Sequence, residues 1–243
     1  MLHGVTACPN QFDGLAKVFY DAGYNVYVPL APHHGQVDKK EHGKVTAQEL
    51  VDYVNSSMTL GTGLGEELGV VGLSGGGMLA TWASEYRPEV SRALLLSPFY
   101  EPAAEQAPKW QLPFLSVLYG YRILPDRFIE PANPDEAAFS YSALANYFIL
   151  TKNLKKSPDN LPLKSLAVVT SDSDDQIDLT MAKEIPQNIA AKNQQMTFLE
   201  TTLPAEWDVG HDIVSLENKN VASRSQQLFN LYFNAYEGRS TNL

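Results

Sequence analysis

The sequence has one cysteine, Cys8, so no disulfide can form within the chain, and cysteine usage leaves the redox compartment open. Basic residues are few: 18 Lys and Arg stand against 28 Asp and Glu, giving a net charge of −10 and a pI near 4.9. That balance argues against nucleic acid and against an anionic membrane surface as partners, because both attract basic patches, and it repels anionic substrates at long range. Long hydrophobic runs are missing too. No apolar stretch approaches the roughly 18–20 residues that span a bilayer, no signal-peptide pattern is visible, and there is neither an internal repeat nor a low-complexity segment. With 44% apolar and 19% charged residues, the 243-residue chain suits a single α/β domain that carries an insertion and buries a sizeable core.

What the sequence does contain is a strand, turn and helix pattern over residues 70–86, VVGLSGGGMLATWASEY. Val70 and Val71 end a short β-branched run, while Met78, Leu79, Trp82 and Tyr86 recur at helical spacing. Ser74 therefore falls on a strand-to-helix turn inside Gly72-Leu73-Ser74-Gly75-Gly76. A G-x-S-x-G at that place is a nucleophile elbow, which lifts the serine hydroxyl above the sheet; the same letters in a plain loop arise by chance, and the flanking strand and helix are what give them weight. Gly72 and Gly76 stand where a Cβ would collide with the neighbouring strand or helix. The N–H groups and dipole of the following helix point at any oxyanion formed on Ser74.

The rest of the chain alternates around this point. Residues 10–22 place Phe12, Leu15, Val18 and Phe19 on one helical face, with Gly23 as the stop. Residues 24–30 (YNVYVPL) read as a strand, and residues 46–60 as a helix capped by Thr46 with Glu49 three residues on. Apolar runs at 68–73 and 93–96 bracket the elbow helix. This order predicts a doubly wound, mostly parallel sheet covered on both faces. Between 97 and 163 the alternation stops, and prolines (Pro131 and Pro134 among them) gather with aromatics such as Trp110, Phe114, Tyr119 and Tyr121. An inserted cap of short helices over 98–163 is expected, with Tyr141, Leu144, Tyr147 and Phe148 on the inner face of its last helix; residues 1–97 and 164–243 form the core. Strands at 166–170 and 196–200, a helix at 179–191 interrupted at Pro186, and a final helix at 221–236 complete the pattern.

A serine hydroxyl needs an adjacent base, and the base an orienting carboxylate. In sheets carrying such an elbow the partners follow the serine in the order acid, then histidine. Only His211 lies downstream of Ser74, in the loop Asp208-Val209-Gly210-His211-Asp212 after the last expected strand. The loop after Thr170 offers Asp172, Asp174, Asp175 and Asp178; Asp174 is preferred, Asp175 is the reserve, and Asp178 suits a helix cap. A calcium loop is ruled out there by the missing turn glycine and distal glutamate. Two backbone N–H groups, of Gly75 after the nucleophile and of Val5 after His3-Gly4, are placed to hold a tetrahedral oxyanion.

Taken together, His3-Gly4 at a strand end, Gly72-Leu73-Ser74-Gly75-Gly76, the Asp174 loop and Gly210-His211-Asp212 make the chain resemble the α/β-hydrolase superfamily, and within it the bacterial carboxylesterase and monoacylglycerol-lipase-like branch. The resemblance implies hydrolysis of small-molecule carboxylic esters of small to medium acyl chain, through an acyl-enzyme on Ser74 and with no cofactor. The insertion sits where that family places its cap. Val5 departs from the aromatic often found after His-Gly in that branch. The strand leading into His-Gly lies mid-sheet in this superfamily, between the strands at 24–30 and 68–73, and only Met1 and Leu2 represent it here. The expectation is a shortened form of a longer protein that is poorly soluble, weakly active, or rescued by pairing with another copy as a homodimer, with its location left open and cytoplasmic by default.

Two lookalikes carry less. Gly61-Thr62-Gly63-Leu64-Gly65-Glu66 follows a helix and precedes a strand, the reverse of a dinucleotide-binding loop. His33 and His34 sit side by side on one extended segment and point apart, with no third ligand nearby, so no metal is expected. Competing functions are a non-catalytic protein of the same fold that binds a small apolar ligand, and an amidase or peptidase using the same three residues.

Overall fold

The computed structural model describes residues 1–130, 136–156 and 158–240; Pro131 and Pro134 lie outside them. In chain order, α1 (Asp13–Asp21) and α2 (Ala47–Thr62) precede β1 (Leu68–Leu73), α3 (Gly75–Tyr86) and β2 (Val90–Leu96). Then come α4 (Leu112–Gly120), β3 (Phe128–Ile129), β4 (Phe139–Ser140) and α5 (Tyr141–Lys152). The chain continues through β5 (Ser165–Ser171), α6 (Leu179–Lys192), β6 (Thr197–Leu203), α7 (Lys219–Ala222) and α8 (Ser225–Tyr236). Among the described residues no helix is long and apolar enough to cross a membrane.

Strands β1, β2, β5 and β6 lie side by side in that order and all run parallel, with Leu73 opposite Leu96, Leu96 opposite Val169, and Ser171 opposite Leu203. Their side chains alternate between two cores. Leu94, Leu96, Ala167 and Val169 join Phe12, Phe19, Leu228 and Tyr232 on the face covered by α1 and α8. Ala93, Leu95, Leu166 and Val168 join Leu50, Val54, Met78 and Ile189 on the face covered by α2, α3 and α6. Every residue of β5 is buried, as a strand covered on both faces requires. Each fully buried leucine contributes about 1.5–3 kcal/mol of apolar transfer, so this two-sided burial is the main support of the sheet. Thr46 and Glu49 close a reciprocal capping box at the start of α2, as expected from their spacing.

Three local expectations fail. Residues 24–30 belong to no strand. The segment ahead of His3 supplies a single bridge, in which Leu2 N–H donates to Val71 O (2.8 Å) and Leu73 N–H to Leu2 O (3.2 Å). Met1's amino group donates to Tyr27 O at 2.6 Å. A groove of about 440 Å³, lined by Met1, Leu2, Tyr24, Tyr27, Leu68 and Tyr236, separates residues 24–30 from β1, so their backbone has no ladder to join. Helix α6 runs unbroken through Pro186, which is buried; the ring costs one N–H bond, and the packed helix absorbs it. The expected helix at 221–236 is divided into α7 and α8, where the Ser223 hydroxyl donates to Asn220 O and competes with the helical ladder.

Between β2 and β5, α4 packs against α5, and β3 pairs antiparallel with β4. Tyr147 and Phe148 of α5 are buried, whereas Tyr141 and Leu144 are half-buried. The aromatics do not all face inward: Trp110, Phe114 and Tyr121 are exposed. This segment returns to the core at the C-terminal end of α3. Tyr86 OH donates to Asn153 O (2.7 Å), and the Glu85 carboxylate accepts the Lys155 N–H (2.8 Å) while Lys155 Nζ donates to Glu85 O (2.8 Å).

Glu85 is buried, and desolvation pushes its carboxyl up from 4.5 to about 7 against the lowering effect of Lys155. A raised carboxyl pKa means that the folded state holds a proton the unfolded state has released between pH 4.5 and about 7. The stability linked to Glu85 is therefore fully present below that window and lost as pH rises through it, by about 3 kcal/mol. Glu85→Gln should leave the melting temperature near that of the unsubstituted protein at pH 4.5 and raise it by several degrees at pH 8. A difference that is flat with pH would show that Glu85 does not carry this linkage.

Candidate active site

The turn at Ser74 is built from close approaches that only glycine permits. A Cβ on Gly72 would overlap the carbonyl of Gly76, and one on Gly76 would overlap the carbonyls of Leu2 and His3. With those side chains absent, the N-terminal end of α3 lies directly against β1 and the segment entering His3. Ser74 itself takes φ 57°, ψ −122°, a conformation that costs a non-glycine residue on the order of 1–3 kcal/mol and persists only where the surroundings enforce it. Here the backbone is held on both sides: Ser74 N–H donates to Leu96 O (2.9 Å), and Ser74 O accepts from Phe99 (2.9 Å) and Met78 (3.1 Å).

The Ser74 hydroxyl lies 2.8 Å from His211 Nε2, and His211 Nδ1 lies 2.7 Å from Asp174 Oδ2. The Asp174 side chain is fully buried, and its other oxygen accepts the Gln176 N–H at 3.0 Å. A carboxylate only accepts, so Nδ1 carries the proton and the Nε2 lone pair faces the serine hydroxyl. Asp175, one residue on, is exposed. Asp172 is exposed too, and Asp178 caps α6 through Met181 N–H (3.0 Å) while pairing with Lys109 (2.6 Å).

The loop carrying His211 is clipped in place. Gly210, at φ 63°, makes the turn, and its N–H donates to Ser173 Oγ at 3.0 Å. Asn218 Nδ2 donates to both Val209 O (2.7 Å) and Asp212 O (2.9 Å), closing the loop across its base.

The expected oxyanion donors sit against each other: the Val5 side chain occupies the space beside the Gly75 Cα. Successive polar groups of this loop are engaged. Gly4 N–H donates to Gln11 Oε1 (2.9 Å), Gly4 O accepts from His3 Nδ1 (2.9 Å), and Val5 O accepts from His34 Nε2 (2.6 Å). Among the described residues, the N–H groups of Val5 and Gly75 donate to no protein acceptor.

Behind the loop three histidine rings stack edge to face, with centroids 4.9 Å (His3 to His34) and 4.7 Å (His34 to His42) apart. His34 thus has ring neighbours that its sequence position did not disclose. Their nitrogens are turned to the backbone: His3 Nε2 accepts the Ala31 N–H, which fixes the neutral tautomer with its proton on Nδ1. Burial, helped by the neighbouring rings, pushes His3 and His42 down to about 3 and lowers His34 as well. Among the described residues no group of three or more His, Cys, Asp or Glu side chains is placed to hold a metal ion.

The sequence reading missed Gln11, Asn218 and the histidine stack. His3 and His34 stood out as letters, but their meeting depends on the fold. Gln11 and Asn218 carry no signal beyond being polar near a helix start.

Neither a protein-family model nor a curated protein sequence matches this chain. Solved structures do match in shape. A monoglyceride lipase from Saccharomyces cerevisiae superposes with a TM-score of 0.71 at 12% identity, over 99% of this chain and 87% of that one. A monoacylglycerol lipase from Paleococcus ferrophilus gives 0.64 at 15% identity (94% and 92% covered), and a structure from work on the metagenome-derived lipolytic enzymes LipS and LipT gives 0.63 at 20% identity (94% and 91%). At these identities the likeness is one of architecture, and it agrees with the parallel sheet and its flanking helices: this chain has the α/β-hydrolase fold.

Proposed function

We propose that this chain is a serine hydrolase that cleaves carboxylic esters of small to medium acyl chain through an acyl-enzyme on Ser74. The observation that carries the reading is His211 bridging the Ser74 hydroxyl and a buried Asp174 in one hydrogen-bonded line. Fold neighbours described as lipases and esterases are consistent with it.

In the proposed mechanism Ser74 Oγ attacks the ester carbonyl carbon as His211 Nε2 takes the hydroxyl proton. The imidazolium so formed is stabilised by Asp174, which remains ionised. The carbonyl oxygen, now anionic, is held by the N–H groups of Val5 and Gly75, donors fixed in place before charge develops and therefore costing no reorganisation. The intermediate collapses with loss of the alcohol, which receives its proton from His211. Water then repeats the sequence on the acyl-enzyme, and the carboxylic acid leaves. An amide would follow the same steps with a poorer leaving group; the ester reading is preferred because it is the chemistry named for the neighbours.

Residues 98–163 act in this reading as the cap, and the apolar cluster of Phe99, Leu112, Phe148 and Ile177 is the wall that the acyl chain meets. Each buried CH₂ contributes about 0.8 kcal/mol, or about fourfold in kcat/KM. Across p-nitrophenyl esters from acetyl to dodecanoyl, kcat/KM should rise over the first few carbons and then fall. A flat profile would contradict an enclosed acyl site. Ser74→Ala should lower turnover by about 10⁴–10⁶ without changing the circular dichroism spectrum.

The acid is tested separately. Asp174→Asn should cost about 10⁴ in kcat, because an amide in place of the carboxylate leaves the imidazole in the wrong tautomer. Asp175→Asn, at an exposed position, should be nearly silent. The reverse ranking would remove Asp174 from the mechanism.

A further inference from the structure

Two loops must keep register for this chemistry: the one that presents the Val5 N–H and the one that presents His211. They are far apart in sequence, yet one side chain touches both. Gln11 Oε1 accepts the Gly4 N–H at 2.9 Å, and Gln11 Nε2 donates to Asp212 Oδ2 at 3.0 Å. The orientation of the amide follows from its partners, since a backbone N–H can only donate and a carboxylate can only accept. Asp212 in turn uses its other oxygen to accept from Val214 N–H (3.1 Å) and Ser215 N–H (3.0 Å), so the pull of Gln11 is transmitted to the turn that follows His211.

We propose that Gln11 is a positioning residue that ties the oxyanion loop to the histidine loop and keeps the Val5 N–H aimed at the carbonyl oxygen of the ester that Ser74 attacks. The inference rests on the esterase reading and adds to it a specific demand. Gly4 N–H is the amide immediately before the proposed donor. With that amide fixed by Gln11, Gly4 O by His3 and Val5 O by His34, the only N–H of the Gly4-Val5 stretch left for substrate is that of Val5. Releasing Gln11 frees one of these three restraints and, in the same step, loosens Asp212. A displacement of about 1 Å at a reacting centre costs on the order of 10²-fold in rate.

The surroundings of Gln11 supply a diagnostic beyond simple loss. It lines a small polar pocket with Cys8, Glu136, Asp212, Glu217 and Asn218, and the carboxyl of Glu136 is raised there by burial and by the charges of Asp212 and Glu217. In Gln11→Glu an ionised carboxylate could still accept the Gly4 N–H but would face Asp212 with like charge. Once protonated, the same group accepts from Gly4 and donates to Asp212, reproducing both bonds of the amide. The three neighbouring carboxylates raise its pKa above the ordinary glutamate value, so the recovery extends upward from about pH 4.3.

The test measures p-nitrophenyl butyrate hydrolysis by the unsubstituted protein, Q11A, Q11E and S74A, together with inhibition by an alkyl trifluoromethyl ketone, whose serine adduct carries the oxyanion. Q11A should lose about 10- to 100-fold in kcat with little change in KM, and its affinity for the trifluoromethyl ketone should fall in parallel with kcat/KM. The kcat of Q11E relative to the unsubstituted protein should rise as pH is lowered from 8 to 5. Unchanged kinetics in Q11A, a loss explained wholly by a smaller folded fraction with unaltered inhibitor affinity, or a Q11E ratio flat with pH each overturns the proposal. Should Q11A fail to fold, Q11E carries the test; if neither folds, Gln11 is a stability residue and the proposal fails. An unsubstituted protein no more active than S74A would instead sink the esterase reading, and the role of Gln11 with it.

Discussion

At Gly72 and Gly76 the backbone of α3 comes so close to β1 and to the segment entering His3 that no side chain fits between them, and the geometry of the site follows from that contact. It forces Ser74 into a conformation that a free chain would avoid and fixes where its hydroxyl stands relative to the C-terminal ends of the parallel strands. Asp174 follows the end of β5, and His211 lies in a loop beyond β6, so the two-sided burial of the strands sets the spacing of the three groups. Hydrogen bonds of 2.7 and 2.8 Å join the three groups on this apolar framework.

Histidine is put to two opposite uses within this framework. His3, His34 and His42 are buried against each other and depressed by desolvation, so they serve as neutral struts whose nitrogens face the backbone carbonyls of Gly4, Val5 and Ala138. His211 is instead placed between a carboxylate and a hydroxyl, with Nδ1 on Asp174 and Nε2 on Ser74, the placement that the proposed mechanism uses for proton transfer. A chain with five histidines and one such placement shows why residue type alone does not assign a base.

Much of this was legible from the letters. Residues 68–73 read as a strand and form one, because a continuous apolar run closed by Gly72 and Ser74 leaves few alternatives. Asp174 could be preferred over Asp175 from its place just past a strand, although the burial that separates them appears only in three dimensions. The failures share a cause. Residues 24–30 have strand composition, yet a strand needs a partner: Leu2 is bridged to Gly72 of β1, and the 24–30 segment receives from the chain's start the Met1 amino group on Tyr27 O rather than a ladder. Pro186 obeys a local rule that tertiary packing overrides. Gln11 was invisible because its two partners lie 7 and 201 residues away, and a glutamine near a helix start says nothing of such a bridge.

In the proposed function Ser74 is the nucleophile, activated by its neighbours and reachable by an acyl-type electrophile. Treatment with a fluorophosphonate followed by peptide mass mapping tests it most directly, because stable phosphonylation at neutral pH requires an activated hydroxyl and reads out the residue itself. The account predicts one adduct per chain, on the peptide containing Ser74, absent from Ser74→Ala and strongly slowed in His211→Ala. No adduct under conditions where the protein is folded, or an adduct that persists on another serine in Ser74→Ala, would contradict it.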